Sequence, residues 1–246
     1  MKKLISIASA MLCVTALASL DPSATSLTSG VVGYNNTETN VYDTQTFIGA
    51  SFLDLDGRAV LPFNSLACPQ GFDDGDGIQI ASVDESGLVQ FKGYTYWAGE
   101  GWADEDEMEL VGDDVGFGLG QAGWFVSSIP KQITTGGNVK NTSHIHTFTE
   151  SMTCVVSAFP AAFCPNSANV SWSCEDGDGI QVPYLDENGI IFFKGYVYWA
   201  GEGWADEDEM SLIDADYPVA SVGKGFWVIL ADPANASFTE VSPIAD

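Results

Sequence analysis

Basic residues are scarce in this chain. Its 246 residues hold eight lysines and arginines against 34 aspartates and glutamates, with only two histidines. A formal charge of −26 at pH 7 repels nucleic acid and anionic lipid surfaces, so neither is an expected partner. Long apolar runs are missing as well: none reaches the ~18 residues of a spanning helix, so no membrane insertion is expected. No Cys-x-x-Cys pair occurs, which weakens zinc and dithiol redox readings. No glycine-rich phosphate loop follows a strand and opens a helix, which leaves nucleotide binding unsupported. The histidines, His144 and His146, sit together beside a joint in the chain, a poor basis for serine or cysteine hydrolase chemistry. They read as an exposed pair rather than as metal ligands.

What is present argues for a folded protein. Hydrophobic residues make up 46% and aromatics 12%, far above a disordered acidic tail. The first residues, MKKLISIASAMLCVTALASL, combine two lysines, an apolar run and small residues. Residues 1–18 therefore read as a secretory signal peptide, cut after Ala16-Leu17-Ala18, with Cys13 in its core. The expected location is secreted or cell surface, by bacterial export. Losing Lys2 and Lys3 leaves six basic against 34 acidic residues, 6 − 34 = −28. Four cysteines remain, Cys68, Cys154, Cys164 and Cys174. In an oxidising compartment they predict two disulfides, one of them favoured within residues 154–174.

The chain is internally duplicated. Residues 75–110 and 177–212 align without gaps at an offset of 102, with 26 identities over 36 positions. FKGYTYWAGEGWADEDEM and FKGYVYWAGEGWADEDEM differ only at Thr95 and Val197. Upstream, FIGASF (residues 47–52) and CVVSAF (residues 154–159) read as equivalent strands, and the Cys-Pro pairs at Cys68 and Cys164 as possible counterparts. The expected organisation is a β domain over residues 30–130, a linker over 131–143 rich in glycine and polar residues, and a second β domain over 144–240. GIQIASV and LVQFKGYTYW alternate around DESG, as GIQVPYL and IIFFKGYVYW do around DENG, and each pair predicts a hairpin. Short strands and 26 glycines point to an all-β fold of two tandem homologous antiparallel sandwich or barrel-like domains.

The landmarks FIGASF, YTYWAGEGW, YVYWAGEGW and the closing VGKGFWV resemble a family of secreted bacterial tandem β-sandwich repeat domains of unassigned function. The closing signature of that family is G-K-G-[YF]-W-V. The resemblance implies a β-sandwich and a surface or secreted location, and it supplies no catalytic residues.

Two constellations are candidate sites. Asp104 and Asp106, repeated as Asp206 and Asp208, lie in irregular acidic stretches whose alternate carboxylates suit a hard cation such as calcium. Asp76 and Asp178 are expected to join them from a neighbouring loop. The bland alternative is a solvated acidic turn. Trp97 and Trp102, like Trp199 and Trp204, flank a glycine-rich turn beside carboxylates, the chemistry of a sugar-stacking face. Trp102 is the better exposed candidate and Trp97, at the strand end, is expected to pack inward; the alternative is that one or both rings fill the sandwich core. The acids are too crowded for the spaced pair of a glycosidase. The expected role is non-enzymatic: a cell-surface or extracellular structural or adhesion-type protein, calcium-stabilised through the acidic turns. Its partners would be a glycan or another surface protein. The alternative is a carbohydrate-binding module.

Overall fold

The computed structural model describes residues 32–38, 45–55, 60–83, 88–185 and 190–243. The signal peptide reading and the DESG and DENG turns fall outside them. The described residues form nineteen strands and one short 3-10 turn, so the fold is all-β. The first half runs through β1 (Val32–Glu38), β2 (Gln45–Gly49), β3 (Val60–Pro62), β4 (Gly77–Val83) and β5 (Val89–Trp97). It continues through β6 (Gly101–Asp104), β7 (Glu109–Leu110), β8 (Gly116–Gly118), β9 (Ala122–Val126) and β10 (Gln132–Asn138). The second half holds β11 (His144–Thr147), β12 (Met152–Val155), β13 (Val170–Ser173), β14 (Gly179–Leu185) and β15 (Ile191–Trp199). It closes with β16 (Gly203–Asp206), β17 (Ser211–Leu212), β18 (Phe226–Ile229) and β19 (Ser237–Glu240).

Both halves build the same six-stranded antiparallel sheet, ordered β2-β9-β4-β5-β6-β7 and β12-β18-β14-β15-β16-β17. FIGASF and CVVSAF supply the matching edge strands: Phe47 lies opposite Trp124, and Cys154 opposite Trp227. The Cys-Pro pairs do not correspond. Asn64 donates to the Val111 carbonyl and Asn166 to the Ile213 carbonyl, 102 residues on in both partners. That register sets Cys68 opposite Val170, and Cys164 opposite Pro62.

Alternation along each strand decides which face is buried. On β5, Tyr94 and Tyr96 turn inward with Ile78, Phe63, Phe117, Phe125 and Ile133, under the β1-β10 and β3-β8 pairs. In the second half Ile180, Tyr196, Phe226 and Val228 pack against Phe238 of the three-stranded sheet β11-β19-β13. Each half is thus a two-layer β-sandwich.

The two halves also meet. Phe47 and Ala122 form one apolar cluster with Cys154, Val156 and Trp227, and Phe47 meets the Trp227 ring edge-on at 5.4 Å. Val156 donates to the Gly120 carbonyl at 2.9 Å, and the Ser51 hydroxyl to the Ser157 carbonyl at 2.8 Å. Residues 31–246 form one compact unit.

The segment read as a linker, residues 131–143, is part of this structure. Its β10 pairs with β1 from Val32↔Asn138 to Glu38↔Gln132, and alternate residues of β10 are buried. A glycine at 137 is needed because a β-carbon there would collide with the Leu53 carbonyl, so here glycine marks close packing rather than freedom. Lys131 is buried; its ammonium donates to the Gly71 carbonyl at 2.7 Å and pairs with Asp73 at 2.9 Å and Asp76 at 3.1 Å. Replacing Lys131 by Met strands the buried Asp76 charge, so a loss of about 3–5 kcal/mol is expected in urea unfolding. A loss under about 1 kcal/mol would show that this brace contributes little.

Candidate functional site

The repeated stretch forms β5, a glycine turn, β6 and an acidic turn, and likewise β15 to β17 in the second half. Glu100 donates to the Trp97 carbonyl at 2.9 Å, and Gly101 follows at φ +124°, a conformation open mainly to glycine. Beyond the turn, Trp102 falls opposite Tyr96 and shares its inward face. It is 1% exposed, and Trp204 0%. Trp102 packs edge-on against Phe72 and Tyr96 at 5.2 and 5.5 Å, and Trp204 edge-on against Trp172 at 4.7 Å and tilted against Tyr198 at 5.4 Å. Burying some 200 Å² of ring is worth about 5 kcal/mol, more than a single stacked sugar would return on exposure. The reading of Trp102 and Trp204 as ligand-facing rings is overturned. Trp97 and Trp199 take the opposite, outer face and are only half-buried, again the reverse of the expectation.

That outer face carries the same side chains twice. Phe91 is 47% exposed and Phe193 44%, and Leu110 and Leu212 are exposed farther along the same face, two strands away. Between Phe91 and Trp97, the exposed Glu105 carboxylate lies over Gly93 and accepts from the Thr95 hydroxyl at 2.8 Å. Glu207 lies over Gly195 in the same way, where Val197 replaces the threonine. A β-carbon at Gly93 or Gly195 would meet that carboxylate, the movable end of the glutamate side chain.

The acidic turns are internally braced. Asp104 Oδ1 accepts the Asp106 and Glu107 amides at 2.9 and 3.2 Å, and Asp206 Oδ1 those of Asp208 and Glu209 at 2.9 and 3.1 Å. Lys92 Nζ bridges Asp104 and Asp106 at 2.7 and 2.9 Å, and Lys194 bridges Asp206 and Asp208, both at 2.7 Å. The Lys92 hydrogen bond and the turn amides hold the Asp104 carboxyl below its ordinary value against the pull of desolvation. Burial pushes Asp206 up, but Lys194 and the two amides more than reverse it. Each turn ends at Met108 or Met210 with φ +55° or +49°, left-handed backbone without glycine.

Asp76 and Asp178 do not join these turns. The Asp76 carbonyl accepts the Tyr96 amide, whereas Asp104 lies across β5 on the other neighbouring strand, two spacings or about 10 Å away. Asp76 Oδ2 accepts the Asp73 amide at 2.8 Å; Asp178 accepts those of Glu175 and Ala231, both at 2.8 Å. Among the described residues, no group of three or more His, Cys, Asp or Glu side chains is placed to hold a metal ion.

Neither histidine is fully exposed: His146 is buried and His144 half-buried. His146 Nε2 lies 2.7 Å from Glu240, 94 residues away, and its ring stacks on Phe238 at 3.9 Å. Glu240 also accepts from the Ser157 hydroxyl at 2.6 Å and the Ala158 amide at 2.9 Å. Burial pushes Glu240 up, and those three donors hold it below the ordinary glutamate value. Lys140 Nζ lies 3.3 Å from His144 Nδ1. An ammonium can only donate, so Nδ1 is the acceptor and Nε2 carries the proton. A lone sequence gives no sign of this network, because His-x-His identifies neither Glu240 nor its distance.

The four cysteines are free thiols, correcting the expectation of two disulfides. Cys154 lies on β12, buried between the halves, where desolvation pushes its thiol well up; the other three lie between strands, and Cys174 is pushed up to about 12 by burial and Asp178.

No protein-family model, curated protein or solved structure matches the chain.

Two outcomes are expected. Lys194→Met leaves Asp206 without its cation and lowers stability by about 1–3 kcal/mol at pH 7. Asp206 titrates below the ordinary aspartate value of 3.8 in the fold, so the wild type keeps this contribution above that pH and loses it as pH falls through the lowered value. The gap between the two proteins in urea should therefore close in strong acid; a constant gap contradicts the pairing. Met108→Gly relieves the left-handed strain and should be stabilising by up to about 1 kcal/mol; a loss above that would mean the Met108 side chain holds the turn.

Proposed function

We propose that this chain is an exported, non-enzymatic structural or adhesion-type protein of the cell surface or extracellular space. The observation that supports this most is the doubled outer face: Phe91, Trp97, Glu105 and Leu110 recur as Phe193, Trp199, Glu207 and Leu212. The exposed members of these sets lie outside the described cores. Linked copies of one contact surface raise avidity by roughly 10²–10⁴ over a single copy. The leader at residues 1–18 and the resemblance to secreted sandwich repeats support the same location.

Calcium belongs to this reading as a stabilising counterion at the exposed carboxylates around Asp106, Glu107 and Glu109, and at Asp208 and Glu209. It would compete there with Lys92 and Lys194. The second reading, a carbohydrate-binding module, now rests on Trp97 and Trp199 beside Glu105 and Glu207 rather than on Trp102 and Trp204.

The test is retention of the mature protein, from residue 19 onward, on cell envelopes of the producing organism. Phe91→Asp or Phe193→Asp alone should weaken retention several-fold, and together they should abolish it. Recovery only in the cytosol rules out export; retention unaffected by the double change rules out the outer face. Melting in EDTA and in millimolar calcium, with magnesium as control, checks the counterion: 100-fold excess over Kd adds about 2.7 kcal/mol. An equal response to magnesium, or none, removes calcium from the reading.

A further inference from the structure

The histidine pair lies at the junction between the two halves, with His146 buried and His144 half-buried. His144 and His146 share a face of β11 and contact each other edge-to-face at 4.5 Å. Both press on Gly120 of the first half: a β-carbon built there would stand 2.9 Å from His146 Nδ1 and 3.1 Å from His144 Nε2. Gly120 is a keystone of the junction, because its carbonyl accepts the Val156 amide at 2.9 Å and its own amide donates to Ala50 at 2.8 Å. Gln121 pairs with Val155 beside it. A cleft of about 330 Å³, lined by Gly120, Gln121, His144, His146 and Cys154, reaches the same place.

We propose that His144 makes this junction an acid-opened latch, in which protonation of its ring separates the first half at Gly120 from the second half at Val156.

The chemistry follows from the partners. His144 Nδ1 is the atom that accepts from Lys140, so it is also the atom that must take up a proton. Protonation replaces a hydrogen bond with two facing cations, Lys140 and the imidazolium. The charged and titratable groups acting on His144 are Lys140 before β11, His146 on β11 and Glu240 on β19. Glu240, the one anion of the three, is already engaged by His146, Ser157 and Ala158. The charged ring is therefore poorly satisfied in place, and it gains hydration when β11 and Gly120 part. Burial, His146 and Lys140 together push His144 down to about 4 from 6.5. A group depressed in the closed state binds its proton on opening, so the closed junction is most stable above pH 6.5 and weakens as pH falls towards 4. With those two values, the opening equilibrium should be about twentyfold larger at pH 5 than at pH 7. Ordinary carboxylates titrate below this window.

Hydrogen exchange on the mature protein tests this, with each rate divided by the intrinsic rate at its pH. The Val156 amide reports the junction, and the Tyr198 amide, bonded to Asp178 at 2.8 Å within the second half, is the internal control. Val156 should gain about twentyfold in opening from pH 7 to pH 5 while Tyr198 stays unchanged. His144→Gln keeps an acceptor for Lys140 but cannot titrate, and it should abolish the gain. If that variant fails to fold, Lys140→Gln leaves His144 titratable without its facing cation, and the gain should shrink. Retention of the full gain in either variant overturns the proposal. So does an equal gain at Tyr198, which would mean whole-molecule loosening.

Discussion

The structure depends on how two outer sheet faces close on each other. A β-sheet has two faces, and each half covers its inner face with its own smaller sheets. Among the described residues, the two outer faces meet near β2, β9, β12 and β18, where Phe47, Ala122, Cys154, Val156 and Trp227 make one cluster. Close approach there requires small residues: a β-carbon at Gly225 would stand 2.7 Å from that of Ala122. Farther along each outer face, Phe91 on β5 and Phe193 on β15 are exposed. The exposed Phe91 and Phe193 stripes are thus the uncovered continuation of a surface that is apolar for packing reasons at its other end.

The acidity of the chain becomes physically intelligible once the turns are seen. Asp104, Asp76 and their counterparts are acceptors for backbone amides that tight turns leave without partners, and three of the few lysines are used where such acceptors cluster. A net charge of −26 still leaves a strongly anionic exterior, which favours neutral or cationic partners over nucleic acid. The two halves solve one problem differently. Asp76 is held by the Lys131 ammonium, whereas Asp178 is held by the Ala231 amide, so the first half carries a buried charge pair that the second avoids.

Local pattern was enough for much of this. Alternation placed β4, β5, β14 and β15, the 102-residue repeat implied duplicated sheets, and the likeness of FIGASF to CVVSAF matched their edge strands. It failed where a residue's environment comes from far along the chain. Trp102 looked exposed because it follows a turn, yet cross-strand register with Tyr96 sends it inward. The segment at residues 131–143 looked like a linker because its glycines and threonines suit loops, but its partner strand lies about 100 residues earlier. Asp76 and Asp104 are close in sequence and similar in chemistry, but neighbouring strands on opposite sides of β5 hold them apart.

The sequence by itself determined the β character, the duplication, the anionic surface and the turn residues, because these follow from composition and from periods of two residues and of 102. Only the tertiary structure decided which tryptophans are buried, that the cysteines are free, that the lysines clamp the acidic turns, and that His144 and His146 lie at the junction. Those outcomes depend on which strands become neighbours. Strand pairing is settled by the burial of whole faces at once, a collective quantity that no short stretch of residues contains.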